Sequence, residues 1–207
     1  MNAKIYKAIY YMSLIHEKLR NDLGELLSSS YKPQKEAAEN MKRKGYKYDH
    51  ELSNMETKVF VNEKNDEPII VHRGTTRVKD WFDDVKLAVG LGKSTQRVKD
   101  AQEINKKVEE KYKKAAHNVG HSLGGFISEN AGGHGNIITY NKGAGLGDLF
   151  KKKNSKRQLD IFANGDLVSK IAQATQTSNK EFVKNKRSSI LKPIRHLNAH
   201  STDNLFY

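Results

Sequence analysis

The stretch Ala116-His117-Asn118-Val119-Gly120-His121-Ser122-Leu123-Gly124-Gly125-Phe126-Ile127-Ser128-Glu129-Asn130 decides how this chain is read. Residues 116–120 form a short strand candidate, and residues 123–130 form a helix candidate. Ser122 stands at the turn between them. A serine hydroxyl is a weak nucleophile until a base takes its proton, and it must stand beside donors that can receive a developing oxyanion. A sharp strand-to-helix turn meets both needs, but it crowds the residues two before and two after the serine. Gly120 and Gly124 hold those two places, and Gly125 lets the helix approach the sheet. The amide of Leu123, at the helix start, would point at the oxyanion, with the helix dipole behind it. His121 precedes the serine, so its side chain is expected to point away from it. G-x-S-x-G alone is a weak signal; the strand before it and the helix after it give it weight.

A base and an orienting acid are then sought downstream. Asp166 follows the strand candidate 159–163 across the turn Asn164-Gly165, at the strand end where ligand-facing groups collect on open α/β sheets. Asp160 lies inside that strand and is the poorer candidate. His196 and His200, near the end of the chain, are both candidate bases, and spacing does not choose between them. His72, His117 and His134 are read either as pocket-lining or as structural. No histidine spacing matches a compact metal site, and Gly143-Ala144-Gly145-Leu146-Gly147 lacks the Lys-Ser or Lys-Thr of a phosphate loop. No metal and no cofactor is expected.

Outward from the turn, Thr57–Asn62 and residues 69–73 read as two strands of a hairpin around the polar turn 63–67. Residues 78–88 and 96–114 read as helices, 136–140 as a strand, and 151–156 as a solvated loop. Residues 170–195 read as loop and helix. Ile5, Ile9, Met12, Ile15, Leu19, Leu23 and Leu26 line one face of a helix over 4–27, with Lys4, Lys18 and Asp22 opposite. Ser28-Ser29-Ser30 and Pro33 are expected to end it. Residues 34–44 read as a second, charged helix or linker that stops near Gly45. Strands alternating with helices predict an α/β fold, a compact and mostly parallel sheet with helices on both faces. The domain reading is an N-terminal helical segment, 1–50, packed on a catalytic domain, 51–207.

Composition bounds the rest. The 207 residues suit one α/β domain. There is no cysteine, which excludes disulfides, thiolate metal sites and a cysteine nucleophile. Lys and Arg number 37 against 24 Asp and Glu, for a net charge of +13. Residues 141–207 hold 13 basic and 5 acidic groups, so +8 of that excess lies in the last third. Such a surface attracts polyanions, whether an anionic membrane or nucleic acid. Neither a signal peptide nor a membrane-spanning run is apparent, so a soluble or peripheral protein is expected.

Several of these segments resemble one family in its own order. Val119–Gly125 looks like the nucleophile elbow of the class 3, fungal-lipase-type α/β hydrolases. Ile69-Ile70-Val71-His72-Arg73-Gly74-Thr75 resembles that family's strand ending in Arg-Gly-Thr, and Trp81 and Asp84 resemble the region after it. Residues 161–168 resemble the segment carrying the acid, and His200-Ser201-Thr202-Asp203-Asn204-Leu205 the terminal histidine segment. The resemblance implies Ser122 as nucleophile, Asp166 as acid, His200 as base, and the amides of Thr75 and Leu123 as oxyanion donors. It implies a lipid or acyl-ester substrate, with phospholipid favoured by the positive charge and no specific nucleic-acid binding. The family's apolar residue before Arg-Gly is His72 here, and the lid stretch 85–95 is short. The plan and the segment Tyr48–Val71 also resemble lipase-like proteins predicted in DNA viruses, which would imply a virion-associated setting. A rival reading treats the turn as scaffold in a non-catalytic basic module, with Lys151, Lys152, Lys153, Lys156 and Arg157 contacting phosphates. A third keeps the serine chemistry but directs it at a non-lipid ester.

Overall fold

The computed structural model describes residues 17–75, 96–143, 157–164 and 179–183. These build one seven-stranded sheet in sequential order: β1 (Tyr46–Tyr48), β2 (Thr57–Asn62), β3 (Pro68–His72), β4 (His117–His121), β5 (Ile137–Tyr140), β6 (Gln158–Ala163) and β7 (Asn179–Val183). The pairs β1–β2 and β2–β3 are antiparallel, and every pair from β3 to β7 is parallel. This is a mostly parallel α/β sheet, as the alternation of strands and helices predicted.

Sequential order has a steric consequence. Right-handed crossovers that always step to the next strand on the same side keep their helices on one face of the sheet. Helix α3 (Gln96–Tyr112) and helix α4 (Leu123–Asn130) both lie on that face. Val108 of α3 packs with Val59 and Ile70 of the hairpin, and Val98 and Ala101 pack with Leu123, Phe126 and Ile127 of α4. Among the described residues, the opposite face is covered by the N-terminal helices. Helix α1 (Leu23–Ser30) and helix α2 (Gln34–Lys42) cover it, burying Leu23, Leu26, Leu27, Ala37 and Met41 against Phe60, Val71, Val119, Tyr140 and Ile161. Each fully buried Leu there is worth roughly 1.5–3 kcal/mol.

The sequence expectations need amendment in four places. Of the helix expected over 4–27, residues 4–16 lie outside the described residues; residues 17–21 are helical, the backbone departs from helix at Asp22, and α1 then continues to Ser30. Asp22 is not on a solvent face, because its carboxylate accepts from Tyr46 Oη (2.8 Å) and Lys18 Nζ (2.6 Å). The three serines do not stop the helix. Ser29 and Ser30 are buried, and Ser30 Oγ returns its hydrogen bond to Leu27 O at 2.7 Å, which helical serines can do at no cost in exposed polar groups. Within 170–195, where loop and helix were expected, Asn179–Val183 forms the parallel edge strand β7. Among the described residues no helix is long and apolar enough to cross a membrane.

Candidate active site

The turn that the sequence singled out is formed. β4 ends at His121, α4 begins at Leu123, and Ser122 joins them at φ 56°, ψ −122°. An L-residue in this region costs of order 1–3 kcal/mol and persists only where its surroundings hold it. Here the hold is dense. Ser122 N donates to Tyr140 O (3.1 Å) on β5, and Ser122 O accepts from Gly125 N (3.0 Å), Phe126 N (3.3 Å) and Gly143 N (3.2 Å). Ser122 is buried, as are its neighbours on both sides.

The glycines are sterically obligatory. A Cβ on Gly120 would fall 2.1 Å from Gly124 O, and one on Gly124 would fall 2.0 Å from His72 O. Helix α4 therefore lies main chain to main chain on β4 and β3, which puts its first turn over the strand ends. Gly125 is looser: its added Cβ would meet Lys142 Cβ at 3.0 Å and Gly120 O at 3.3 Å.

The end of β3 runs alongside. A Cβ on Gly74 would come within 3.2 Å of Ser122 Cβ, so the segment Arg73-Gly74-Thr75 borders the serine. Thr75 Oγ1 is buried and makes no hydrogen bond among the described residues. Arg97, at the start of α3, fixes this segment by donating to Arg73 O (2.7 Å) while its Nε pairs with Glu56 (3.1 Å).

The histidines sort by their partners. His121 does point to the far face of the sheet, where Nδ1 lies 2.8 Å from Tyr31 Oη and the ring stacks on Tyr140. His72 is buried between Thr57 Oγ1 (3.1 Å from Nδ1) and Asn118 Oδ1 (3.0 Å from Nε2), and burial pushes it down to about 4. It is a neutral structural histidine: Nδ1 accepts from the threonine and Nε2–H donates to the amide oxygen. His117 Nδ1 accepts from Asn136 N (3.1 Å), and the exposed His134 pairs with Glu109 (2.9 Å). Asp160, set aside as the poorer acid, has its carboxylate in a buried network with Thr139 Oγ1 (2.6 Å), Lys142 Nζ (3.0 Å) and Gln158 Nε2 (3.0 Å). Lys142 also reaches Glu129 on α4 at 3.2 Å, so this network fastens the far end of the helix to β6. Asp166, His196 and His200 lie outside the described residues, as do Trp81, Asp84 and the stretch 85–95. The sequence reading overlooked Tyr31 and Lys142. A tyrosine after a triple serine and a lysine after a strand carry no pattern of their own.

No curated protein matches the chain by sequence. Among solved structures, the chain is similar to the Lip2 lipase of Yarrowia lipolytica, with 14% identity over 70% of this chain and 69% of that one, and a TM-score of 0.44. The sequence model of a phospholipase-like family, the Tle-like phospholipase domain, matches residues 24–172. That span is well over half the chain and runs from α1 past β6, and the chain belongs to this family of phospholipase-like domains.

Proposed function

We propose that the protein is a serine esterase that hydrolyses acyl esters of lipids, phospholipid first among them. The observation that carries this reading is the backbone of Ser122, strained between a parallel strand and a helix that two glycines allow to sit in main-chain contact with the sheet. His200 takes the Ser122 proton as Ser122 Oγ attacks the ester carbonyl, and Asp166 orients the imidazole and stabilises its charged form. The oxyanion is received by the amides of Leu123 and Thr75, and the unsatisfied Thr75 hydroxyl supports that assignment. The proton on His200 passes to the leaving alcohol; His200 then takes a proton from the water that attacks the acyl-serine and gives it to Ser122 Oγ as the acyl–oxygen bond breaks and the fatty acid leaves. We place residues 51–207 as the catalytic domain and 1–50 as a segment that covers it through α1 and α2 and adds the strand β1 to its sheet, supported by the packing of α1 and α2 and the pairing of β1 with β2. The net charge of +13 favours an anionic bilayer as the surface on which substrate is met.

A fluorophosphonate probe followed by a lipid panel tests this. Labelling is expected at Ser122 and lost in Ser122→Ala. Fatty-acid release from phosphatidylglycerol vesicles is expected to exceed that from phosphatidylcholine vesicles and to decline with added salt. An unlabelled serine, or full turnover by Ser122→Ala, would remove the proposal. Salt-insensitive turnover would remove its electrostatic part alone.

A further inference from the structure

Tyr31 lies just beyond the last turn of α1, far from the serine in sequence, yet its hydroxyl touches both chain segments that border Ser122. Gly74 N donates to Tyr31 Oη at 3.1 Å, and Tyr31 Oη lies 2.8 Å from His121 Nδ1. The hydroxyl accepts from the glycine amide and shares a second hydrogen bond with the imidazole nitrogen, so one oxygen joins both segments. Burial pushes this phenol up to about 12, against the pull of the Gly74 amide and of Arg73 and Arg97, so it holds its proton across the working range. The contact is tight: a Cβ on Gly74 would fall 2.5 Å from Tyr31 Oη.

Tyr31 is itself fixed. Its amide and that of Lys32 close the end of α1 onto Ser28 O (3.1 Å) and Ser29 O (3.2 Å). The next carbonyl, Ser30 O, accepts from Lys58 Nζ at 2.6 Å. Lys58 is buried, and burial, with Arg73 nearby, lowers it to about 8. A lysine set against a helix C-terminus meets the negative end of the helix dipole. The tyrosine thus projects from an anchored helix end onto two strand ends.

We propose that Tyr31 is a positioning residue of the oxyanion site: its hydroxyl clamps the residue before Thr75 to the residue before Ser122, and so sets the spacing of the Thr75 and Leu123 amides. This rests on the esterase reading above. Gly74 N is already engaged by the tyrosine, so the neighbouring amide is the one left to face substrate. Such a residue acts only through the transition state. Its loss is expected to lower kcat while leaving KM nearly unchanged.

The test compares Tyr31→Phe, Ser122→Ala and a matched control, Tyr46→Phe, in the full-length chain. Tyr46 is buried in the same layer, and its Phe variant loses a buried hydroxyl hydrogen bond, to Asp22 at 2.8 Å, that joins neither segment. The readouts are kcat and KM on 4-nitrophenyl butyrate, normalised to folded protein by circular dichroism, and inhibition by butylboronic acid, whose tetrahedral adduct occupies the oxyanion site. Tyr31→Phe is expected to lose roughly 10–100-fold in kcat, less than deletion of a direct donor costs, with KM within about twofold. The boronate inhibition constant should rise in parallel. Tyr46→Phe should keep kcat whatever it does to the melting temperature. Unchanged kcat in Tyr31→Phe, a loss confined to KM, or an equal loss in Tyr46→Phe would overturn the clamp. If Ser122→Ala retained full activity, the esterase reading itself would fall, a result separable from failure of the clamp alone.

Discussion

Gly124→Ala should damage both the stability and the activity of this protein severely. The added carbon would fall 2.0 Å from the His72 carbonyl oxygen, 2.8 Å from its carbon and 2.9 Å from the Arg73 carbonyl carbon. All three belong to the main chain at the end of β3, which is hydrogen-bonded to β2 on one side and β4 on the other, so β3 cannot give way. Real Cβ contacts under 3.0 Å essentially do not occur. Helix α4 must therefore retreat by about 1 Å, and Ser122 with it. Overpacking of this kind costs about 1–3 kcal/mol, and the rigidity of both partners argues for the upper end. Moving a reacting group by about 1 Å costs on the order of 10²-fold in turnover. Gly132→Ala is the control: Gly132 has φ +78° but nothing within 4 Å of its added carbon, so only the left-handed penalty of about 1–2 kcal/mol applies and turnover is untouched. Urea denaturation followed by circular dichroism gives the stabilities, and 4-nitrophenyl butyrate hydrolysis gives the rates. If Gly124→Ala unfolds at the same urea concentration as the parent and keeps its kcat, the main-chain contact is not what holds the turn.

Ser122→Gly and Ser122→Ala should both be inactive, but the glycine variant should be the more stable by about 1 kcal/mol or more, because only glycine adopts φ 56°, ψ −122° without strain; equal midpoints in urea would contradict the strain argument. Lys142→Met should cost about 3–5 kcal/mol, since Asp160 and Glu129 would then share a buried site without their cation, and Lys142→Met with Asp160→Asn should recover part of it; an additive pair of losses would argue against coupling. His72 is held down to about 4 in the folded chain against about 6.5 unfolded, so the unfolded state binds the extra proton between those values and stability falls as pH drops from about 6.5 to 4, by up to about 3 kcal/mol. His72→Gln should flatten that part of a pH series of urea midpoints, and an unchanged slope would mean the imidazole is not the group responsible.

The parts legible in the sequence are those where main-chain geometry dictates residue type. Gly120, Ser122 and Gly124 announce the turn because no side chain fits where Gly124 O and His72 O stand. The hairpin shows in Thr57–Asn62 because every position in it is buried, which demands a run of strand formers. What the sequence hid follows from the same logic. β1 is three residues long, too short for its buried-exposed-buried alternation to stand out, and β7 is an edge strand whose Lys180 and Phe182 are exposed. Ser29 and Ser30 look like helix breakers but are buried at a helix end that Lys58 completes from another strand. Asp22 and Tyr46 lie 24 residues apart and meet only through the packing of α1 on the sheet. Side-chain pairs of long range leave no local mark, and Tyr31 belongs with them.

The strand order ties these observations together. A sheet wound sequentially puts α3 and α4 on one face. Among the described residues α1 and α2 cover the second face, and their apolar residues also bring the end of α1 to the strand ends of β3 and β4. Ser122 is thereby held from two sides by different means. From the α4 side, glycine-to-backbone contacts press the helix onto the sheet, and the Lys142 network fastens its far end to β6. From the α1 side, one tyrosine hydroxyl joins the two strand ends. The strain at Ser122 of order 1–3 kcal/mol needs both holds, since either alone would let the turn relax toward the side left open. On this reasoning a chain shortened to residues 51–207 would lose the site's geometry along with its cover, even if the remaining strands still paired.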